Sequence, residues 1–320
     1  MIEYRARNML SDEAIQPMLG KIVTDNEYSM LVTGPTRVLK PDGKPLLVYV
    51  PKALPEALLN EAYPILHELR KLETTNRGLA SGTMRYPRYA GSSRTESKSI
   101  SSAIVGAFDK GPSRIYCRLT AWTGREFDKF HQLFPLLHQI ALTFATYVPD
   151  RFGAQMLYAK QVKPEWVITG TPFTTVTVNN TYPTGVHKDK GDLDEGFSTL
   201  AVLRRGSYTG GRLTFPQYRI AVDMQHGDVL LMDAHDWHGN TAIRCAGEHP
   251  VSIDPWALKS DLLSGLCAEH DTERISIVSY FRTKMTQCGT LDEEQAKRIA
   301  AAEADNDDSD ASLLKETVTT

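Results

Sequence analysis

The sequence predicts an α+β protein: an antiparallel sandwich or barrel of short strands, with helices from the N-terminal half packed on one sheet face. Two helical stretches with broad apolar stripes precede a change of texture at Lys163. Beyond it, short β-branched and aromatic runs alternate with turn residues at regular spacing, about eight strands in all. Hydrophobic residues make up 41% of the 320-residue chain and charged residues 23%, enough for a core and too much for wholesale disorder.

The first helix is read from PEALLNEAYPILHELRK (55–71). Leu58, Leu59, Ala62, Ile65, Leu66 and Leu69 recur there at helical spacing behind Pro51 and Pro55. Residues 72–114 are rich in Gly, Ser, Thr and Arg, show little periodicity beyond Ile104 and Val105, and read as a long functional loop. The second helix covers 125–147, where Phe127, Phe130, Phe134, Leu137, Ile140, Ala141 and Phe144 form one stripe; His131 and His138 on it read as structural. The expected strands lie at 166–169, 174–178, 199–203, 212–215, 219–222, 229–232, 240–244 and 275–281, with bends at Gly210-Gly211 and His226-Gly227-Asp228. This gives a single domain over 1–290, with a helical and basic-loop part (1–163) and a β core (164–290). An acidic tail (291–320), poor in apolar residues, is expected to be partly disordered.

No apolar run approaches the roughly 18–20 residues that cross a bilayer, and the mean hydropathy is −0.32. The N-terminus lacks the basic-then-apolar shape of a secretory signal. Cys117, Cys245, Cys267 and Cys288 show no C-x-x-C spacing, which predicts neither a disulfide framework nor a cysteine zinc site. The expectation is an intracellular protein with no membrane association and no evident protein partner. A net charge of −3 hides an asymmetry. Between Arg70 and Lys129 twelve Lys and Arg face five Asp and Glu, whereas Leu291 to Thr320 holds nine acids and three bases. Such a basic block permits a local phosphate-binding face on a mildly acidic protein, and two ordinary solvated surfaces are the plainer alternative.

The chemistry is carried by His187-Lys188-Asp189. In an extended strand, residues i and i+2 project to one face, so His187 and Asp189 can share a metal. H-x-D alone is a weak signal. It gains weight from His238, 51 residues on, which follows the strand-like Val229–Met232 and leads into the next strand. Two histidines and a carboxylate in this arrangement form the facial triad of non-haem Fe(II) oxygenases, which leaves three coordination positions for a bidentate cosubstrate and O2. His235 competes with His238 for the distal place, and His226 reads as structural or exposed. Arg274 and Ser276 share a face of the last strand, where a guanidinium fork and a hydroxyl suit the distal carboxylate of 2-oxoglutarate. Arg244 is the rival anchor. The N-x-Y sequence Asn180-Thr181-Tyr182 ends five residues before His187, and Asn180 is a candidate contact to the cosubstrate or an ordinary turn residue.

These motifs resemble the TET/JBP branch of Fe(II)/2-oxoglutarate dioxygenases. The resemblance rests on HKDKGD (187–192), the spacing to His238, HGDVLLMD (226–233) and ERISIVSYFR (273–282), and covers about 165–285, with a looser likeness at SAIVGAFD (102–109). It implies a double-stranded β-helix (jelly-roll, cupin-like) core, the cofactors Fe(II), 2-oxoglutarate and O2, and oxidation of a pyrimidine 5-methyl group in DNA. It assigns iron to His187, Asp189 and His238, and 2-oxoglutarate to Arg274 with Ser276. Asp192 corresponds to a family acid that in some relatives faces the cytosine amino group. Arg282 stands where some relatives carry a base-contacting His. The long interval from His238 to Arg274 implies an inserted loop at 245–272.

The function expected is hydroxylation of 5-methylcytosine in DNA, with the target base flipped out of the stack. Arg85, Arg88 and Arg94, with Tyr86 and Tyr89 among them, are expected to grip the substrate strand. An acceptor such as Asp192 favours the cytosine amino group over the thymine carbonyl. Thymine hydroxylation in DNA, or hydroxylation of a small molecule or protein, are the alternatives. A halogenase is disfavoured because Asp189 fills the position that such enzymes leave for halide.

Overall fold

The computed structural model describes residues 1–74, 84–87, 93–96, 100–111, 114–245 and 272–316; Arg88, Tyr89 and most of the expected inserted loop at 245–272 lie outside them. The first fifty residues, for which the sequence reading names no element, form strands β1 (Ile2–Arg5), β2 (Met30–Val32), β3 (Thr36–Leu39) and β4 (Pro45–Val50), with helix α1 (Asp12–Ile15) after β1. Strands β3 and β4 pair antiparallel around Asp42-Gly43, and Gly43 takes the left-handed conformation (φ 86°) that the tight reversal requires. Helix α2 (Glu56–Glu68) realises the first predicted helix.

Residues 72–114 depart from the loop reading. They carry β5 (Glu73–Thr74), the paired β6 (Met84–Pro87) and β7 (Ser93–Glu96), and the nine-residue β8 (Ile100–Phe108). The β8 strand is buried on both faces, so its apolar positions show no clean alternation, and the Ile104-Val105 patch is its visible part. After β9 (Arg118–Leu119) come α3 (Ala121–Arg125), α4 (Phe127–Gln132), α5 (Phe134–Tyr147) and α6 (Pro149–Ala159). The single helix predicted at 125–147 is thus two, divided at Leu133. Pro135 has no N–H to give to the preceding turn, so α4 cannot run on into α5 unbroken.

The remaining strands are β10 (Thr175–Asn180), β11 (Ser198–Arg205), β12 (Tyr208–Gly210), β13 (Leu213–Phe215), β14 (Ile220–Val222), β15 (Val229–Met232), β16 (Gly239–Asn240), β17 (Ile243–Cys245) and β18 (Glu273–Tyr280). The predicted strand at 166–169 is absent. Pro164–Trp166 is a 3-10 turn, and Thr171 N–H closes a further turn on Ile168.

Two sheets face each other. The large one runs β1-β3-β4-β15-β11-β18-β10-β8-β5, with β9 beside β8; the small one runs β16-β13-β14-β2. Between them lies a core that includes Val38, Leu47, Tyr49, Leu200, Val202, Leu230, Phe215, Ile220 and Val222. The opposite face of the large sheet presents Val48, Val105, Val176, Ala201, Leu231, Ile275 and Ile277 to α2 and α5, which contribute Leu59, Leu66, Leu137, Ile140 and Phe144. Period-two alternation therefore divides each central strand between a helix-covered face and an inner face. This is the double-stranded β-helix core with packed helices.

At the C-terminal end one element is added and one expectation is corrected. Within the acidic tail, Leu291–Glu316 form helix α7. Its start is a capping box: Thr290 Oγ1 accepts from Glu293 N–H at 3.3 Å while Glu293 Oε2 accepts from Thr290 N–H at 2.8 Å. Glu294 is buried and accepts from Cys117 N–H at 2.7 Å, which docks the helix on the body. Cys117 and Cys288, separated by 171 residues, form a disulfide that the absence of a C-x-x-C spacing does not suggest. The fold brings the approach to β9 beside the segment after β18, placing the two Cα atoms 5.8 Å apart.

Candidate active site

His187 and His238 are joined by a reciprocal pair of backbone bonds, His187 N–H to His238 O at 2.8 Å and His238 N–H to His187 O at 2.9 Å. The bridge aligns the two imidazoles on the inner face, ring centroids 4.3 Å apart. Asp189 N–H bonds to Ala234 O at 2.9 Å, which ties the carboxylate's strand to the loop that carries His238. One ligand atom from each of His187, Asp189 and His238 lies within 4.8 Å of the others. Gly239 permits this closeness: a Cβ there would sit 2.8 Å from Val186 N.

The donor chemistry suits a metal. His187 Nδ1 lies 2.8 Å from Gly185 O, and His238 Nδ1 lies 2.9 Å from Asp236 O. Each carbonyl fixes its ring as the Nδ1–H tautomer and turns an Nε2 lone pair toward Asp189. The Nε2 atoms stand 3.4 Å (His187) and 3.8 Å (His238) from the Asp189 carboxylate oxygens. His235 takes no part in this cluster. Its Nδ1 is bonded to Asp233 at 3.0 Å and its Nε2 faces Asp194 at 3.2 Å.

The triad forms one wall of a cavity of about 600 Å³ between the sheets. Strand β18 lines it with Arg274, Ser276, Val278 and Tyr280, every second residue. Arg274 is 3% exposed, and its Nη2 atom has no hydrogen-bond partner among the described residues. A buried guanidinium with an unmet donor is costly, and an anionic ligand in the cavity removes that cost. Gly211, at φ 64°, lets the chain pass over Arg274, since a Cβ would lie 3.0 Å from its Cδ and Nε. These residues fit iron and the carboxylate of 2-oxoglutarate. Arg244 lies apart, 3.4 Å from Asp25.

Asn180 does not reach the cavity: its amide donates to Glu273, on the other face of β10 from Asn179 and Thr177, which do line it. Because successive side chains in a strand point to opposite faces, the cavity wall here is formed by Asn179 and not by Asn180. Asn179 donates to Ser276 Oγ at 3.4 Å and accepts from Ser102 at 2.6 Å. Asp192 and Arg282 both line the cavity. Burial, with a smaller push from Asp189, raises the Asp192 carboxyl to about 7, although Ser198 donates to it at 2.9 Å. Arg282 is held by Asp109 at 2.6 Å. Arg85 and Arg94 lie on the β6–β7 hairpin, where Arg85 pairs with Thr95 and Arg94 with Tyr86. The site residues that sequence reasoning misses are Thr177, Asn179, Tyr280 and Asp109. Thr177 and Tyr280 are legible as alternate positions on strands that the sequence does predict, whereas Asn179 lies one residue past the predicted end of its strand.

This fold and site define a 2-oxoglutarate- and Fe(II)-dependent oxygenase. The family model Tet_JBP, the oxygenase domain of the 2OGFeDO superfamily, matches residues 104–283. The chain belongs to that family, whose cofactors are Fe(II), 2-oxoglutarate and O2. It is 32% identical over 246 residues to thymine dioxygenase JBP1 of Trypanosoma brucei brucei, covering 76% of this chain and 27% of that one. It is 28% identical over 283 residues to the bifunctional helicase and thymine dioxygenase JBP2 of the same organism, covering 85% and 24%. The chain thus spans about a quarter of the length of these curated relatives. Among solved structures, NgTET1 in complex with 5mC DNA superposes with a TM-score of 0.51 over 83% of each chain at 16% identity, a likeness of fold. Among the described residues, no helix is long and apolar enough to cross a membrane.

Proposed function

We propose that this dioxygenase hydroxylates the 5-methyl group of a pyrimidine in DNA, with 5-methylcytosine as the base. The observation that carries the reading is one cavity in which the His187–Asp189–His238 cluster and Arg274, whose Nη2 has no partner among the described residues, share walls with Asp192 and Arg282. His187, Asp189 and His238 would hold Fe(II), and Arg274 with Ser276 would hold the distal carboxylate of 2-oxoglutarate. The bound group supplies oxidation of the methyl C–H to C–OH, as 2-oxoglutarate and O2 become succinate and CO2.

The protein's own residues do the rest. Val278, Leu200 and Met232 give the cavity wall apolar side chains that suit a methyl group. Asp192, fixed by Ser198, offers an acceptor to an exocyclic amino group, which cytosine has and thymine lacks. A pyrimidine must leave the helical stack to enter, at a cost of a few kcal/mol. The names of the curated relatives favour a second reading, thymine as the base.

The test supplies Fe(II), 2-oxoglutarate and air to the protein with DNA containing 5-methylcytosine, or with thymine as the sole methylpyrimidine, followed by nucleoside mass spectrometry. Hydroxymethylcytosine from the first DNA supports the proposal. Hydroxymethyluracil alone transfers it to thymine, and equal turnover of free nucleosides refutes the DNA role.

A further inference from the structure

Arg282 lines the active-site cavity. Its guanidinium lies 4.2 Å from the centroid of the Phe108 ring, and that of Arg118 lies 5.2 Å from the same ring. Phe108 and Arg118 are paired across β8 and β9, so the sheet itself fixes this stack. Phe108 lines a groove of about 240 Å³, and a second groove of about 440 Å³ adjoins it through shared lining residues. Arg118 and Arg125 line both, Arg114 lines the smaller, and Arg298 of α7 lines the larger.

Two of the acids nearby are already engaged. Asp109 is bound to Arg282, and Glu294 takes Lys297 and two backbone N–H groups. Glu73, on the edge strand β5, is the carboxylate that lines the smaller groove. Arg118 meets the Asp109 carbonyl at 3.4 Å and the Phe108 ring, and no carboxylate among the described residues lies within ion-pair distance of it. Burial, then the neighbouring charge of Arg114, pushes its guanidinium below the ordinary arginine value. This is a fixed cluster of positive charge suited to an anion of several charges, spaced along a path.

We propose that the groove lined by Arg114, Arg118 and Arg125 binds consecutive phosphates of the DNA strand flanking the base held in the cavity. The inference rests on the DNA reading above and adds to it a route for the strand. Arg282 and Arg118, sharing Phe108, mark the point where the strand passes from cavity to groove. Arginine suits phosphate because its planar fork offers paired donors. Contacts of this kind position the strand and carry no sequence information.

The experiment measures affinity for a duplex carrying one central methylated pyrimidine, by fluorescence anisotropy over a range of NaCl. It compares wild type with Arg118→Gln, Arg125→Gln and the double variant. Thermal melting and Fe(II) titration confirm that each variant is folded, and Arg118→Lys, which keeps the charge, serves as a second arm. The proposal expects at least tenfold weaker binding by the double variant. It also expects a salt slope shallower by about 0.9 for each lost contact, with Arg118→Lys recovering most of the slope. The KM for the duplex rises while kcat at saturation changes less.

An unchanged slope and affinity in the folded double variant overturns the groove. Equal binding of a polyglutamate peptide also overturns it, by making the site a general acidic one. Failure of the parent reading shows differently: the wild type itself then neither binds nor oxidises the duplex.

Discussion

His187 and His238 each donate a backbone N–H to the other's carbonyl, so the two imidazoles are set by main-chain bonds before any metal arrives. The third member of the cluster, Asp189, is joined to the same loop through Ala234 O. Preorganisation of this kind means that removing one ligand costs coordination without dismantling the scaffold. His238→Ala and His187→Ala should each lower Fe(II) affinity by tenfold or more and abolish turnover, with little change in melting temperature. His235→Ala should retain one metal per chain in the same titration. Loss of metal from the His235 variant alone would exchange the roles of His235 and His238.

Arg274 should anchor 2-oxoglutarate. Its Nη2 is buried and unpaired among the described residues, and a charge-assisted pair lost at such a place costs roughly 3 kcal/mol, about a hundredfold in affinity. Equilibrium binding of 2-oxoglutarate to the metal-loaded protein should weaken by that order in Arg274→Ala. Arg244→Ala should leave binding unchanged, because Arg244 faces Asp25 and not the cavity. The opposite ranking would move the anchor.

The legible part of this site is the part written at short range. H-x-D, the distal histidine and the alternation Arg274-Ser276 each announce a face of a strand, and period two carries them into one cavity. Asn180 stands off the cavity wall and Asn179 on it for the same physical reason: a shift of one residue along a strand inverts the face. Asp109 is not legible as a partner of Arg282, since their contact spans the sheet from β8 to the end of β18. Cys117 and Cys288 are likewise brought together only by the tertiary fold. Two further signals are local, however. Pro-Asp-Gly at 41–43 between β-branched runs marks the β3–β4 hairpin, and Thr290 to Glu293 marks the start of α7.

Lys40 should matter to the site without touching it. Its ammonium reaches Asp233 at 2.8 Å and Asp236, in the loop whose Asp236 carbonyl holds His238 Nδ1. Lys40→Met leaves two largely buried carboxylates without their cation and should destabilise the protein by roughly 2–4 kcal/mol. Denaturant unfolding measures this. Fe(II) affinity should fall as well, because the loop that orients His238 loses its tether. A variant of wild-type stability would show that the cluster is well solvated.

The same cluster sets a pH dependence. The bond to Asp233 lifts the His235 imidazole to about 9, with a further contribution from Asp194. Burial pushes Asp233 up, but bonds from His235 and Lys40 outweigh it and hold the carboxyl below its ordinary range. Tyr218 and Asp236 complete the surroundings. A raised His contributes stability fully below its unfolded value of about 6.5 and loses it as pH rises through 9; a lowered Asp contributes above about 3.9 and loses it as pH falls. Stability from this pair should therefore be greatest between about pH 4 and 6.5. Melting of His235→Gln against pH should lack the decline between 6.5 and 9 that the wild type shows relative to it. Parallel curves would mean that His235 does not titrate in the folded protein as its contacts require.

The Cys117–Cys288 bond should be a measurable part of the stability. It closes a loop of 171 residues, and restricting an unfolded chain over that length is worth about 2–5 kcal/mol. The bond also holds the segment where Glu294 receives Cys117 N–H, so reduction should loosen the docking of α7 as well as favour unfolding. Thiol titration of the denatured protein should find two fewer reactive groups before reduction than after it. Reductant should lower the melting temperature of the wild type and leave that of Cys117→Ser unchanged, and Cys288→Ser should match Cys117→Ser. If each serine variant is destabilised to a different extent, and reductant still affects both, the two sulfurs are not each other's partners. Hydrogen exchange at Leu291–Lys297 gives an independent readout, since it should quicken on reduction while exchange in β11 and β18 stays slow.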